Sequence, residues 1–154
     1  MQFKDLGLIA PLLQALHELG HTTPTPIQVK GIPAVLAGRD LIAAAQTGTG
    51  KTGSFALPLL QKLGELPPPE PNSISALVLT PTRELAQQVA DDLREYGRRL
   101  PVRVLVAYGG VSLNPQMMAL RRGADILVAT PGRLLDLHGK NALRLGQLRV
   151  LVLD

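Results

Sequence analysis

The stretch Ala45-Gln46-Thr47-Gly48-Thr49-Gly50-Lys51-Thr52 follows a short apolar run, Leu41–Ala45, and opens a segment with helical spacing, Lys51–Leu63. A glycine-rich turn between a strand and a helix is a setting for anion binding. Gly48 and Gly50 let the backbone turn so that successive N–H groups face inward. The helix N-terminus adds partial positive charge at the same point. Lys51 can reach the β- and γ-phosphates of a nucleotide, and the Thr52 hydroxyl suits Mg²⁺. The strict form of this pattern begins with glycine, where Ala45 stands. Residues 45–52 are therefore expected to form a phosphate-binding loop, with Lys51 as a catalytic side chain.

Four further apolar runs follow: Ala76–Leu79, Val102–Ala107, Ile126–Ala129 and Val150–Leu153. Most are continuous rather than alternating, which is the pattern of strands covered on both faces. Helical spacing separates them. In Arg83–Leu100 the residues Leu85, Ala86, Val89, Ala90, Leu93 and Tyr96 form one apolar stripe. The alternation predicts an α/β fold with a mainly parallel sheet flanked by helices. The N-terminal part reads differently. Pro11–Leu19 is predicted helical, with Gly20 as its stop. A second helix starts near Pro26, and Gly31 and Pro33 are expected to interrupt it before Gly38. The proline-rich stretch Pro67–Ser73 reads as a stiff surface loop rather than a domain boundary.

Chemistry of this kind normally needs an acidic residue closing a later hydrophobic strand, where it holds Mg²⁺ through water. Arg149-Val150-Leu151-Val152-Leu153-Asp154 has that form, so Asp154 is the expected catalytic and metal-binding carboxylate. Composition agrees and excludes other classes. With 154 residues the chain suits one domain. There is no cysteine, which excludes a disulfide framework, a thiol nucleophile and a cysteine-ligated metal, and fits a reducing compartment. His17, His21 and His138 are too widely spaced for local metal ligation. Sixteen Lys and Arg against twelve Asp and Glu give a net charge of +4, a moderate basic excess that does not by itself specify a polyanion partner. No apolar stretch is long enough to span a bilayer, and the first residues lack a secretion signal, so a cytoplasmic location is expected.

Other segments sharpen this reading. Gly20-His21-Thr22-Thr23-Pro24-Thr25-Pro26-Ile27-Gln28, with Phe3 upstream, resembles the adenine-recognition motif of DEAD-box RNA helicases. Pro81-Thr82-Arg83-Glu84-Leu85-Ala86, Gly109-Gly110 and Thr130-Pro131-Gly132-Arg133 resemble that family's three RNA-contacting motifs, in the expected order. Ala45 is the family's usual variant of the loop. The wording Gly109-Gly110-Val111-Ser112 is similar to the bacterial RhlE-type branch.

The resemblance implies a RecA-like P-loop NTPase domain, truncated at the acidic-motif strand. Residues 1–38 would form the adenine-recognition segment and 39–154 an incomplete ATP- and RNA-binding core, with the second RecA-like domain absent. ATP and Mg²⁺ are the implied cofactors. The ATP site would comprise Phe3, Gln28, Ala45, Gln46, Thr47, Gly48, Thr49, Gly50, Lys51 and Thr52, with Thr52 and Asp154 serving the metal. Phe3 would pack on the adenine ring; alternatively it is a hydrophobe covering the core. Gln28 carries an amide that can both accept from and donate to one adenine edge. His21 stands where the family often has Phe or Tyr.

RNA would be gripped by Pro81, Thr82, Arg83, Gly110, Thr130 and Arg133, through charge-assisted phosphate bonds, hydroxyl donors and a close backbone approach. With two Phe, two Tyr and no Trp, base stacking is scarce, so RNA binding should be largely sequence-independent and salt-sensitive. The arginines Arg98, Arg99, Arg103, Arg121 and Arg122 read equally well as solvated helix ends. The whole protein would couple ATP hydrolysis to local unwinding of RNA duplexes, whereas these residues alone are expected to bind but not unwind. Two alternatives stay open here: a non-catalytic RNA- or nucleotide-binding module, and another P-loop ATPase acting on DNA. In RecA-like sheets the strand after the acidic motif lies between the phosphate-loop strand and the acidic strand. The sheet is therefore expected either to be completed by another chain, as in a swap, or to belong to a longer parent.

Overall fold

Four of the apolar runs become strands in a computed structural model that describes residues 1–39 and 50–154. They are β1 (Ile74–Leu79), β2 (Val104–Ala107), β3 (Ala124–Ala129) and β4 (Val150–Leu153). All pair in parallel, in the order β2-β3-β1-β4. The fifth run, Leu41–Ala45, lies outside the described residues, as do Gln46, Thr47, Gly48 and Thr49 of the loop.

The described residues fall into two compact units. Met1–Leu66 with Asp92–Pro101 form one, and Pro67–Asp91 with Val102–Asp154 form the other.

The first unit is helical. A 3₁₀ turn, Phe3–Leu6, precedes α1 (Ala10–Glu18), α2 (Pro26–Leu36) and α3 (Lys51–Gly64). Helix α1 ends as its sequence suggests: the His21 N–H donates to Leu16 O at 2.9 Å and the Gly20 N–H to His17 O at 3.0 Å. This is the paired closure that a glycine after a helix provides. Helix α2 departs from expectation, because it runs unbroken through Gly31 and Pro33. Proline inside a helix removes one main-chain hydrogen bond and crowds the carbonyl four residues back, at a cost of about 3 kcal/mol. Here buried Gly31 and fully buried Ile32 fix the same turns by packing, and α2 lies along α3. Tertiary burial outweighs local propensity at this point.

The second unit contains the sheet, α5 (Asn114–Leu120) and α6 (Pro131–Gly139). Helix α4 (Arg83–Tyr96) contributes its first turns to this unit and its last to the other. Its stripe is buried at Ala86, Val89, Ala90 and Leu93, while Leu85 is exposed. Leu85 sits at the edge of the stripe in the first turn, so the helical angle carries it to the surface.

One face of the sheet carries Leu77, Ala107, Leu127 and Ala129, in a cluster with Leu120 of α5 and Leu137 of α6. The alternate residues Ala76, Val78, Ile126 and Val128 are fully buried too. Burial on both faces is why these strands read as continuous apolar runs. Two buried polar residues, Ser75 and Asp125, lie within these strands. Asp125 is buried on β3, and its carboxylate accepts the Arg103 N–H at 2.7 Å, pinning the entry to β2. Burial pushes the Asp125 carboxyl up from its ordinary range, against the pull of that bond and of the Arg103 charge.

Among the described residues no helix is long and apolar enough to cross a membrane.

Candidate functional site

In the first unit the site is built around Gln28. Thr25 caps α2, and the Gln28 Oε1 accepts the Thr25 N–H at 3.0 Å, satisfying one donor at the helix start. The Gln28 Nε2 donates to Gly50 O at 3.2 Å, and Gly50 is the N-cap of α3. The Gln28 carboxamide thus ties the first turn of α2 to the residue that opens α3. Among the described residues each end makes one such bond, although an amide has two N–H donors and two oxygen lone pairs. The side chain is buried, however. Reading a purine edge from here requires Gln28 to shift outward or exchange one of these bonds.

Gly50 has φ +84°, a left-handed conformation that favours glycine. A Cβ there would come within 2.5 Å of Thr25 Oγ1 and 2.6 Å of Gln28 Nε2. Gly53, one turn into α3, gives the same clearance: a Cβ would lie 2.6 Å from Gln28 Nε2.

Lys51 and Thr52 occupy the first turn of α3, half-buried, with the axis of a 14-residue helix behind them. Phe3 is buried in its 3₁₀ turn. His21 stacks edge-on against Tyr96 with ring centroids 5.8 Å apart, so it keeps an aromatic packing contact. Burial, reinforced by the nearby Asp92 and Glu95 carboxylates, pushes the Tyr96 hydroxyl up. Arg99 is not a loose cation: it makes a two-pronged bond to Glu18, at 2.6 and 2.8 Å.

In the second unit the site lies along the C-terminal edge of the sheet. Leu79 aligns with Ala129 and with Leu153, and Ala129 aligns with Ala107. The residue after β1, β3 and β4 carries the pairing one step further. The Thr80 N–H donates to Ala129 O, the Thr130 N–H to Ala107 O and the Asp154 N–H to Leu79 O, at 2.9–3.1 Å. Thr80, Thr130, Asp154 and Tyr108 therefore end the four strands in one row. In parallel sheets this is the rim where ligands bind.

Pro81, Thr82 and Arg83 are exposed on that rim. Thr82 is the N-cap of α4: its Oγ1 accepts the Leu85 N–H at 3.2 Å, leaving its own O–H to donate elsewhere. Arg83 lies over the Tyr108 ring at 5.0 Å, a cation–π contact. Gly110 is exposed with φ +81°, and a Cβ on it would sit 3.5 Å from Arg83 Nη1. Thr130 is the N-cap of α6, and its hydroxyl makes no capping bond.

Arg133, expected among the RNA-gripping residues, is turned inward. Its side chain is only 10% exposed. Nη2 donates to Val111 O at 3.0 Å and Nη1 to Gln116 Oε1 at 3.2 Å. Nε faces Asp136 at 3.9 Å, an ion-pair separation too long for a hydrogen bond. Arg103 is likewise engaged, donating to Ala119 O at 2.7 Å.

The structure brings Arg83, Gly110 and Arg133 together through two residues that the sequence did not single out, Tyr108 and Gln116. Tyr108 adjoins the glycine pair, which was the available signal. A lone Gln on a short helix carries none.

A family model described as DEAD/DEAH box helicase matches residues 25–154. The chain is 50% identical over 153 residues to the ATP-dependent RNA helicase DeaD of Escherichia coli (strain K12), covering 99% of this chain and 24% of that protein. It is 48% identical over 139 residues to the DEAD-box ATP-dependent RNA helicase RhpA of Helicobacter pylori (strain B128), covering 90% of this chain and 27% of that one. The chain thus spans about a quarter of the length of these curated relatives. A crystal structure of the RNA helicase Prp28 from Chaetomium thermophilum bound to ADP matches with a TM-score of 0.90 and 42% identity, covering 99% of this chain and 37% of that one. The parallel sheet with its flanking helices is a RecA-like helicase fold, and the chain belongs to the DEAD/DEAH box helicase family.

Proposed function

We propose that this chain is the ATP-binding and RNA-binding half of a DEAD-box RNA helicase that couples ATP binding and hydrolysis to local unwinding of RNA duplexes. The observation that carries the reading is the bond from Gln28 to Gly50, which joins a base-reading amide to the phosphate loop.

Several features support a nucleotide at this place. The positive φ of Gly50 opens the start of α3, and the space a Cβ would fill there is bounded by Thr25 Oγ1 and Gln28 Nε2. Lys51 would hold the β- and γ-phosphates, and Gln28 would test the base, favouring adenine over guanine by the order of its donor and acceptor. Thr52 and Asp154 would each offer Mg²⁺ the kind of oxygen donor it prefers. When bound, that ion neutralises charge developing on the transferred phosphoryl group. Phe3 would contribute apolar contact to the adenine ring.

RNA would lie along the rim of the second unit. Arg83 would meet phosphate oxygens, Thr82 and Thr130 would donate hydroxyl hydrogens, and Gly110 would admit the strand to its N–H beside Pro81. Arg133 lies beneath the same surface, with its guanidinium bonded to Val111 and Gln116. Such binding reads phosphate and sugar more than base, so it should be largely sequence-independent, on single strands or short duplexes. The absence of cysteine agrees with work in the reducing cytoplasm.

Titrating ATP and single-stranded RNA separately tests the proposal. Lys51→Ala is expected to lose ATP binding and keep RNA binding, and Arg83→Ala the reverse. The 154-residue chain alone should bind without unwinding. Robust ATP turnover by it, or retention of both ligands by both variants, would count against this reading.

A further inference from the structure

The exposed turn Tyr108–Val111 is held at both ends by one pair of side chains. Gln116 Nε2 donates to Tyr108 O at 3.2 Å, ahead of the two glycines. Arg133 Nη2 donates to Val111 O at 3.0 Å, behind them. The two side chains then bond to each other, Arg133 Nη1 to Gln116 Oε1, at 3.2 Å. The result is a closed loop of hydrogen bonds around Gly109 and Gly110, whose own backbone stays exposed.

A second support reaches the same turn from α4. The Tyr108 hydroxyl donates to Gln87 Oε1 at 3.2 Å, while its ring lies beneath the Arg83 guanidinium. Gln116 is half-buried with both ends of its amide committed, so it is not shaped to touch a passing strand itself. A turn with two adjacent glycines samples many conformations unless something fixes it. What fixes it here is a neutral amide, matched at one end to a main-chain oxygen and at the other to a buried guanidinium.

We infer that Gln116 is a positioning residue for RNA binding: it clasps the Tyr108–Val111 turn against Arg133, so that the Gly110 N–H and Arg83 present one preformed surface to a phosphate backbone. This rests on the RNA reading proposed above and adds a residue to it. Preorganisation raises affinity by removing an ordering cost that each binding event would otherwise carry.

The test compares the wild-type chain with Gln116→Met, which keeps length and helix propensity, and with Gln116→Ala. Amide hydrogen exchange of residues 108–112 is followed without RNA. Anisotropy then gives the affinity for a fluorescein-labelled single-stranded oligoribonucleotide and, as a control, for a fluorescent ADP analogue. Loss of one or two hydrogen bonds should speed exchange in that segment about threefold to tenfold. RNA binding should weaken by a similar factor, with ADP affinity and melting temperature nearly unchanged.

Unchanged exchange in both variants, or faster exchange with RNA affinity intact, overturns the inference. A wild-type chain that binds ADP but no RNA overturns the underlying RNA reading and the inference with it. The exchange data would still separate that result from a clasp that does not hold.

Discussion

Gln28 and Gly50 are joined by a 3.2 Å hydrogen bond from side-chain amide to main-chain oxygen, across 22 positions of sequence. Gln28 stands in the first turn of α2 and Gly50 is the N-cap of α3, so the starts of the two helices share a mechanical link. The two glycines that flank this amide, Gly50 and Gly53, exist on the same account to leave it room.

Gly50→Ala should therefore be the most damaging small substitution in the first unit. The left-handed backbone alone costs about 1–2 kcal/mol with a side chain present. The new methyl also displaces Gln28 or Thr25. Urea unfolding should show a loss of at least that size, and calorimetry should show weaker ADP binding. Full retention of both would mean that the Gln28–Gly50 contact is dispensable.

Asp125 carries a pH dependence whose sign can be worked out. Burial raises its folded-state pKa above the unfolded value, so the folded chain holds the proton more tightly. Its contribution is fully present below the unfolded pKa and is lost as pH rises through the folded one. Asp125→Asn keeps an acceptor for the Arg103 N–H and removes the titration. The difference in urea midpoint between wild type and Asp125→Asn should shift in favour of the variant as pH rises from 4 to 7. Asp125→Ala loses the acceptor and should cost about 1–3 kcal/mol at pH 4, with the cost shrinking as pH rises. A wild-type-minus-Asn difference that is flat with pH would remove this account of Asp125.

Arg83→Ala is expected to weaken RNA binding and to lower the slope of log affinity against log salt by about 1, the signature of one lost phosphate contact. A weaker affinity at unchanged slope would instead assign Arg83 a structural role, through its contact with Tyr108.

The sheet was legible in the sequence because both its faces are buried, and four of the five apolar runs reappear as β1 to β4 with ends shifted by no more than two residues. The rim followed from parallel pairing alone. The misread elements share a cause. Pro33 and Gly31 are breakers by local propensity, but burial along α3 holds α2 together. Leu85 belongs to the stripe by composition, yet faces solvent by helical angle. At the candidate site, residue type and spacing pointed to Gln28, Gly50 and Arg83. They could not reveal that Gln28 is already bonded at both ends, or that Arg133 is turned inward onto Val111 and Gln116. Those are facts of three-dimensional pairing between residues far apart or on different elements, and no periodicity encodes them.

Calorimetric titration with ADP and with GDP, each with Mg²⁺, into the wild-type chain and into Gln28→Ala tests the central claim most directly. The account expects ADP to bind the wild type at least about tenfold more tightly than GDP, the worth of one well-placed buried polar pair. Gln28→Ala should abolish that preference. Equal affinity of the wild type for both nucleotides, or an adenine preference that survives in Gln28→Ala, would contradict it.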